Sequence, residues 1–285
     1  MRVIPVGVDN PSVAPAIDPK LPAHAREPDA RVAALPSVAL LGVRVANATR
    51  GEACEVLEAW ARARDGRSRV VYIVNAHTLN LAWEDPDYRA ALNRGDVVFA
   101  DGTGARMAAR WRGVELRENL VGTDLVPELF TRMARDGCRV YLLGATAETV
   151  ERAARHVETT WGVTVAGFHH GYVNEEAAAR AAAVRIAGSG ADLLLVGMGN
   201  PLQEAWIDRQ RERIGTPVAI GVGGLFDHWG GNLRRASPLV RRLGIEWVQI
   251  LLQQPGRKWR RYMLGNPRFL ARAWRDRSTS RASAG

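Results

Sequence analysis

Two apolar periods alternate along this chain. Short, nearly continuous apolar runs read as strands at Val70–Val74, Asp96–Ala100, Arg139–Gly144, Val163–Gly167, Asp192–Gly197 and Val218–Gly224. Earlier, Val38–Leu41 and Val43–Val45 also look like strands. Between the runs the apolar residues fall at helical spacing. Helices are expected from Arg50 to Arg64 with Thr49 as N-cap, after Thr78, from Leu125 to Asp136 with Gly137 as the stop, from Thr146, from Glu175 to Ala187, and from Pro201 to Arg213. Asp192–Gly197 is apolar almost throughout, as a strand covered on both faces must be. Strand and helix alternating in this way predict an α/β fold with a mainly parallel, doubly wound sheet and helices on both faces. Residues 1–36, rich in Pro, Ala and Asp, show no sustained period and read as a flexible extension. The α/β pattern stops beyond Gly231. Pro238 to Leu252 reads as one helix, Gln254-Pro255 breaks it, and Arg257 to Trp274 reads as one or two short basic helices. The expected organisation is an extension over 1–36, an α/β domain over 37–245 and a helical basic C-terminal appendage over 246–285.

Composition adds little to this picture and charge adds much. With 285 residues, 47% of them hydrophobic, the chain can build one large core with an appendage. Two cysteines, Cys54 and Cys138, suggest reduced core thiols and favour a cytoplasmic location. The first twenty residues lack the head and apolar block of a signal peptide, and no apolar run approaches the roughly 18–20 residues that span a bilayer. The net charge of +9 is concentrated at one end: from Arg234 onward thirteen basic residues face only Glu246 and Asp276, a net of +11 that leaves −2 for the rest. Trp247, Trp259, Tyr262, Phe269 and Trp274 interleave with those arginines. The pattern suits an interfacial helix on an anionic membrane, or single-stranded nucleic acid, or a solvated face whose rings pack on the domain.

The candidate chemistry gathers between Val71 and Leu125. The first strand ends at the polar stretch Asn75-Ala76-His77-Thr78, and the next ends at Asp101-Gly102-Thr103-Gly104. Open α/β sheets bind ligands just beyond such carboxyl ends. Asp101, at the rim of a buried strand, is a candidate general base because desolvation makes a carboxylate hold a proton more tightly. The same Asp could equally be a turn cap. Strand-to-glycine turns recur at Gly144, at Gly197 and Gly199, and at Gly223 and Gly224; each can turn backbone N–H groups toward a phosphate, or simply let a strand turn. None fits the P-loop or GxGxxG pattern. Asn200-Pro201-Leu202-Gln203-Glu204 reads as a helix start, with Asn200 as N-cap and Gln203 able to hydrogen-bond a sugar or a base. Asp85-Pro86-Asp87 looks like a metal-binding D-x-D but reads better as a break between helices, and adjacent His169-His170 cannot both face one ion from a strand.

In order along the chain, these motifs resemble the WecG/TagA/CpsF family of bacterial glycosyltransferases (family 26), from about residue 38 to 270. The resemblance rests on Val74-Asn75-Ala76-His77, Ala100-Asp101-Gly102, Gly122-Thr123-Asp124-Leu125, Leu142-Leu143-Gly144 and His169-His170-Gly171-Tyr172. It continues through Gly197-Met198-Gly199-Asn200-Pro201-Leu202-Gln203-Glu204, Gly221-Val222-Gly223-Gly224-Leu225-Phe226-Asp227, Arg235-Ala236-Ser237-Pro238, Glu246-Trp247 and Pro255–Tyr262. It implies a Rossmann-like fold and a hexosyltransferase (EC 2.4.1.-) of cell-surface polysaccharide biosynthesis. The implied reaction is the inverting transfer of a sugar from a UDP-sugar to a polyprenyl-diphosphate-linked saccharide, without a metal or other cofactor. The implied place is the inner face of the plasma membrane, where the appendage docks and helps to close the site. The family's base falls on Asp101, its polar pair on Asn75 and His77, and its helix-start glutamine on Gln203. Three departures stand out. Asn119 replaces an arginine before Gly122-Thr123-Asp124-Leu125, Gln249 replaces one after Glu246-Trp247, and Asn75 and His77 replace the commoner pair.

The expected site therefore has Asp101 as base, with His77 as a rival whose ordinary pKa suits the task. Asn75, Thr103, Asn119, Asn200, Gln203, Arg235 and Arg257 are expected to bind the sugar or acceptor. Gly144, Gly197, Gly199, Gly223, Gly224 and Asp227 are expected to bind the nucleotide. Partners are a UDP-sugar, a lipid-linked acceptor and an anionic membrane, with a homo-oligomer possible and no nucleic acid. A solution UDP-sugar hydrolase or epimerase, and a basic nucleic-acid-binding protein, are the alternatives.

Overall fold

The strands pair in an order that the chain does not follow. A computed structural model describes residues 23–235, 240, 246–254, 256 and 259–282. Strands β1 (Ser37–Leu40) and β2 (Val43–Ala46) form an antiparallel hairpin apart from the main sheet. The main sheet is built from β3 (Arg69–Val74), β4 (Val97–Ala100), β5 (Arg139–Gly144), β6 (Thr164–His169), β7 (Leu193–Gly197) and β8 (Val218–Gly221). Its order is β4-β3-β8-β7-β5-β6, and every pairing is parallel. The chain goes outward from β3 to β4 and then crosses to the far side, so that β8 returns last to lie beside β3. That reversal is where an open α/β sheet forms a crevice.

Alternating side chains of the sheet enter two cores. Val70, Tyr72 and Val74 of β3 face one side with Leu194, Val196 and Ala219. Val71 and Ile73 face the other with Leu193, Leu195 and Ile220. From Val70 on, a strand buried on both faces leaves no position for an unpaired polar side chain, which explains its apolar run. Helices α1 (Ala23–Ala34), α2 (Arg50–Ala63), α6 (Gly122–Met133), α7 (Ala147–Trp161) and α10 (Leu225–Trp229) cover the second face. The first is covered by α3 (Ala76–Glu84), α4 (Pro86–Asn93), α5 (Gly102–Trp111), α8 (Glu176–Gly188) and α9 (Leu202–Gln210). A mainly parallel, doubly wound α/β sheet is what the alternating pattern predicted. Thr49 caps α2 as expected, through a capping box with Glu52, and Thr146, where a helix is expected to start, is the N-cap of α7. Asp85 ends α3 and caps α4, its Oδ1 accepting from the Asp87 and Tyr88 amides at 2.9 and 3.0 Å; this is the helix break that Asp85-Pro86-Asp87 suggested.

Three elements differ from expectation. Part of the stretch read as a flexible extension is helix α1, anchored by Asp29. That carboxylate accepts from Trp60 Nε1 at 2.7 Å and from Arg69 Nε at 2.9 Å, while Asp65 takes the other side of the Arg69 guanidinium at 2.7 Å. Arg69 is wholly buried at the start of β3, and a buried cation must be paired. Helix α6 begins at Gly122, three residues early, because the Leu125 amide closes the first turn on the Val121 carbonyl at 2.9 Å. In the tail, the helix expected over 238–252 is described at 240 and as α11 (Glu246–Gln253). A π-helical turn, Arg260–Gly265, runs into α12 (Asn266–Ala282).

Helix α12 belongs to the core rather than lying outside it. Phe269 and Ala273, 1% and 2% exposed, join the cluster that holds Val74 and Ala105. Polar bonds surround that seat: Arg272 donates to Asn80 Oδ1 at 3.0 Å and to Glu84 at 2.6 Å, and Asp276 accepts from Arg112 at 3.0 Å and from the Leu41 amide at 3.1 Å. Cys54 and Cys138 are buried free thiols.

Candidate active site

Three neighbouring strands end on one cavity of about 640 Å³. The β3–β4 register pairs Val74 with Ala100, so Asn75 and Asp101 leave the sheet side by side, and the Asp101 amide donates to the Val74 carbonyl at 2.8 Å. From β8 on the other side comes the turn Val222-Gly223-Gly224. The volume lies within the range of clefts that bury small ligands.

Each polar group on the floor is set by its element. Asn75 is the N-cap of α3; its Oδ1 accepts from the His77 and Thr78 amides at 3.0 and 3.3 Å. Asp101 holds the N-cap position of α5, yet its side chain makes no cap bond to that helix. The helix start therefore leaves the carboxylate's direction to its surroundings, and the side chain is half-buried at the cavity wall. Gly102 follows with φ +89°, a conformation glycine adopts without strain, and its amide donates to Asn119 Oδ1 at 2.6 Å. Asn119 thus fixes the turn that carries Asp101.

Under the β8 side lies a buried polar group. Gln203, 1% exposed, accepts the Gly223 N–H at 2.9 Å and donates through Nε2 to Glu204 at 2.8 Å. The Asn200–Pro201 bond is cis and α9 starts at Leu202, so Pro201 takes the N-cap position expected of Asn200. Asn200 instead donates to Glu204. Burial pushes the Glu204 carboxyl above the ordinary carboxylate range. On the same wall, Asp227 accepts from Asn232 at 3.1 Å. Its neighbour His228 is held below the usual histidine value by burial, with the Arg235 charge adding to the effect.

Tail residues form the opposite wall. Trp247 of α11 and Tyr262 of the π-helical turn lie with ring centroids 5.7 Å apart, next to Met263 and Leu270. Arg261 reaches across to Asn75 Oδ1 at 3.2 Å.

Asn75, His77, Asp101, Thr103, Asn119, Asn200, Gln203, Gly223, Gly224 and Asp227 all line this one cavity. Gly144, Gly197, Gly199 and Arg235 are not among its lining residues. A Cβ on Gly144 would lie 2.3 Å from the Gly197 carbonyl oxygen, so Gly144 and Gly197 let the ends of β5 and β7 touch, two strands and one strand beyond β8. Arg235 is engaged by Asp124 at the start of α6. Arg257 lies outside the described residues. Sequence reading missed Arg261, the one cation among the described lining residues, and Thr123, whose buried hydroxyl lines the wall. The available signals were the basic run around Arg261 and the Gly122-Thr123 start of α6. No group of three or more His, Cys, Asp or Glu side chains among the described residues is placed to hold a metal ion.

Comparison with known proteins matches the chain over residues 38–283 to the glycosyl transferase WecG/TagA/CpsF family. A relative from Bacillus spizizenii, an N-acetylglucosaminyldiphosphoundecaprenol N-acetyl-beta-D-mannosaminyltransferase, is 36% identical over 193 residues, which cover 66% of this chain and 72% of the relative.

Proposed function

Since this chain belongs to the WecG/TagA/CpsF family of glycosyl transferases, we propose that it moves a hexose or N-acetylhexosamine from a UDP-sugar to a polyprenyl-diphosphate-linked saccharide in cell-surface polysaccharide synthesis, with inversion and without a metal. The observation that carries this reading is the placement of Asp101: a carboxylate at the end of β4, on a cavity whose other walls supply amides, a hydroxyl and a cation. The relative's name specifies a β-linked product on a lipid diphosphate acceptor, which supports the same reaction class here.

In the proposed step, Asp101 takes the proton of an acceptor hydroxyl as that oxygen bonds to the anomeric carbon. The bond from that carbon to the β-phosphate oxygen breaks, and its electron pair leaves with UDP. Attack opposite the leaving group turns an α-linked donor into a β-linked product. The charge developing on UDP needs stabilisation, which Arg261 on the cavity wall can supply. His77 remains the rival base.

The membrane face of the proposal rests on the tail. Trp259, Met263, Leu264 and Trp274 are exposed beside Arg260 and Arg275. None of the described helices is long and apolar enough to cross a bilayer. A peripheral position on an anionic leaflet fits both facts.

The test is UDP release from a panel of UDP-sugars, with a short-chain polyprenyl-diphosphate sugar as acceptor, for wild type, Asp101→Asn and His77→Gln. Acceptor-dependent release should fall about 10²–10⁴-fold in Asp101→Asn, the range that loss of a general base gives. Release independent of acceptor would favour a hydrolase, and an unaffected Asp101→Asn would move the base to His77.

A further inference from the structure

The cavity floor is held from beneath by a carboxyl that touches no part of the cavity itself. Glu204 is 1% exposed. Its Oε1 accepts from two side-chain amides, Asn200 Nδ2 and, at 2.8 Å, Gln203 Nε2. Gln203 then uses its own Oε1 to accept the Gly223 N–H at 2.9 Å. The Tyr88 hydroxyl, also buried, lies against the same carboxyl. Asn200, Gln203 and Gly223 all line the cavity, whereas Glu204 and Tyr88 do not.

We propose that Glu204 is a positioning residue for the transfer reaction: its carboxyl clamps Asn200 to Gln203 and, through Gln203, fixes the β8 turn against which the donor's diphosphate lies. The proposal rests on the reaction class proposed above and deepens it. The reasoning is geometric. A glutamine amide can rotate to offer either its oxygen or its nitrogen. With an acceptor oxygen from Glu204 on one side and the Gly223 N–H on the other, only one orientation satisfies both, so the clamp selects it. Gln203 is therefore committed to the turn, which explains why a residue read as a sugar contact is almost wholly buried. Burial favours the neutral acid at Glu204, and a neutral acid keeps the carbonyl oxygen that both amides need. The clamp consequently requires an acceptor oxygen and not a charge.

That distinction sets the experiment. Full-length wild type, Glu204→Gln, Glu204→Met and Glu204→Ala are compared in three measurements: UDP affinity by calorimetry, acceptor-dependent transfer, and hydrogen exchange of the peptide containing Gly223. Glutamine retains an acceptor oxygen in the same place, so its UDP Kd and donor KM should stay within about threefold of wild type. Methionine and alanine should raise both at least tenfold and speed exchange at Gly223, while the acceptor KM changes little. A folded Glu204→Met or Glu204→Ala protein with unchanged UDP affinity would overturn the proposal. So would faster exchange at Gly223 with no loss of affinity, which is the mark of a merely structural clamp. If neither variant folds, a Glu204→Gln protein that is folded yet impaired more than tenfold overturns it. Wild type that binds no UDP at all would instead overturn the proposed function and, with it, the role built on that function.

Discussion

Replacing Phe269 by alanine tests the most consequential feature of the fold, the continuity of the tail with the sheet's core. The ring is 1% exposed and sits among Val74, Ala105 and their neighbours, far along the chain from both. Truncating a fully buried Phe costs about 3–5 kcal/mol, the sum of lost transfer energy and the cavity left behind. Spread over a domain of this size, that loss lowers Tm by on the order of 10 °C. Urea unfolding followed by tryptophan fluorescence gives the free energy, and hydrogen exchange over 266–282 shows where it is lost. If α12 is part of the core, the midpoint falls and exchange in the tail and in β3 accelerates together. Transfer activity falls as well, because Tyr262 and Met263 on the preceding turn lose their seat over the cavity. A loss below about 1 kcal/mol with unchanged exchange would refute the reasoning. An unchanged midpoint with opening confined to 266–282 would refute it too, by making the tail a separately docked unit.

Two further predictions come from the buried titratable groups. Burial pushes Asp65 up, but hydrogen bonds from Arg69 and the Arg67 amide outweigh it and leave the carboxyl below its ordinary range. A depressed carboxylate stabilises the fold above its unfolded pKa and loses that contribution as pH falls through the folded value. Asp65→Asn should therefore cost about 3 kcal/mol at pH 7 and about 1 kcal/mol less at pH 3, because one proton changes stability by at most about 1.4 kcal/mol per pH unit below the unfolded pKa, as read by urea midpoints at the two values. Equal cost at both would remove the ion pair from the account. Burial raises the Cys54 and Cys138 thiols to about 12, so neither should react with a thiol reagent at pH 8 until urea unfolds the chain; rapid labelling of the native protein would contradict their burial.

Much of this molecule was legible from local pattern alone. The apolar runs marked the inner strands because a strand covered on both faces has little room for a polar side chain, whereas the edge strand β6 is only partly covered. Thr49 and Thr146 marked helix starts because their hydroxyls satisfy amides that a first turn leaves open. Asp101 stood out because it follows directly on a buried strand, and it lines the cavity at the end of β4. Three things needed the tertiary structure. The strand order sets β8 beside β3 and leaves Gly144 and Gly197 outside the cavity, although their turns look like that of Gly223 in sequence. The commitment of Gln203 to Gly223 depends on a turn twenty residues away. The reach of Arg261 to Asn75 spans 186 residues, and the tail that carries it is polar enough to read as an appendage. Periodicity reports which face of an element is covered. It is blind to which element does the covering, because that choice is made by contacts between segments remote in the chain.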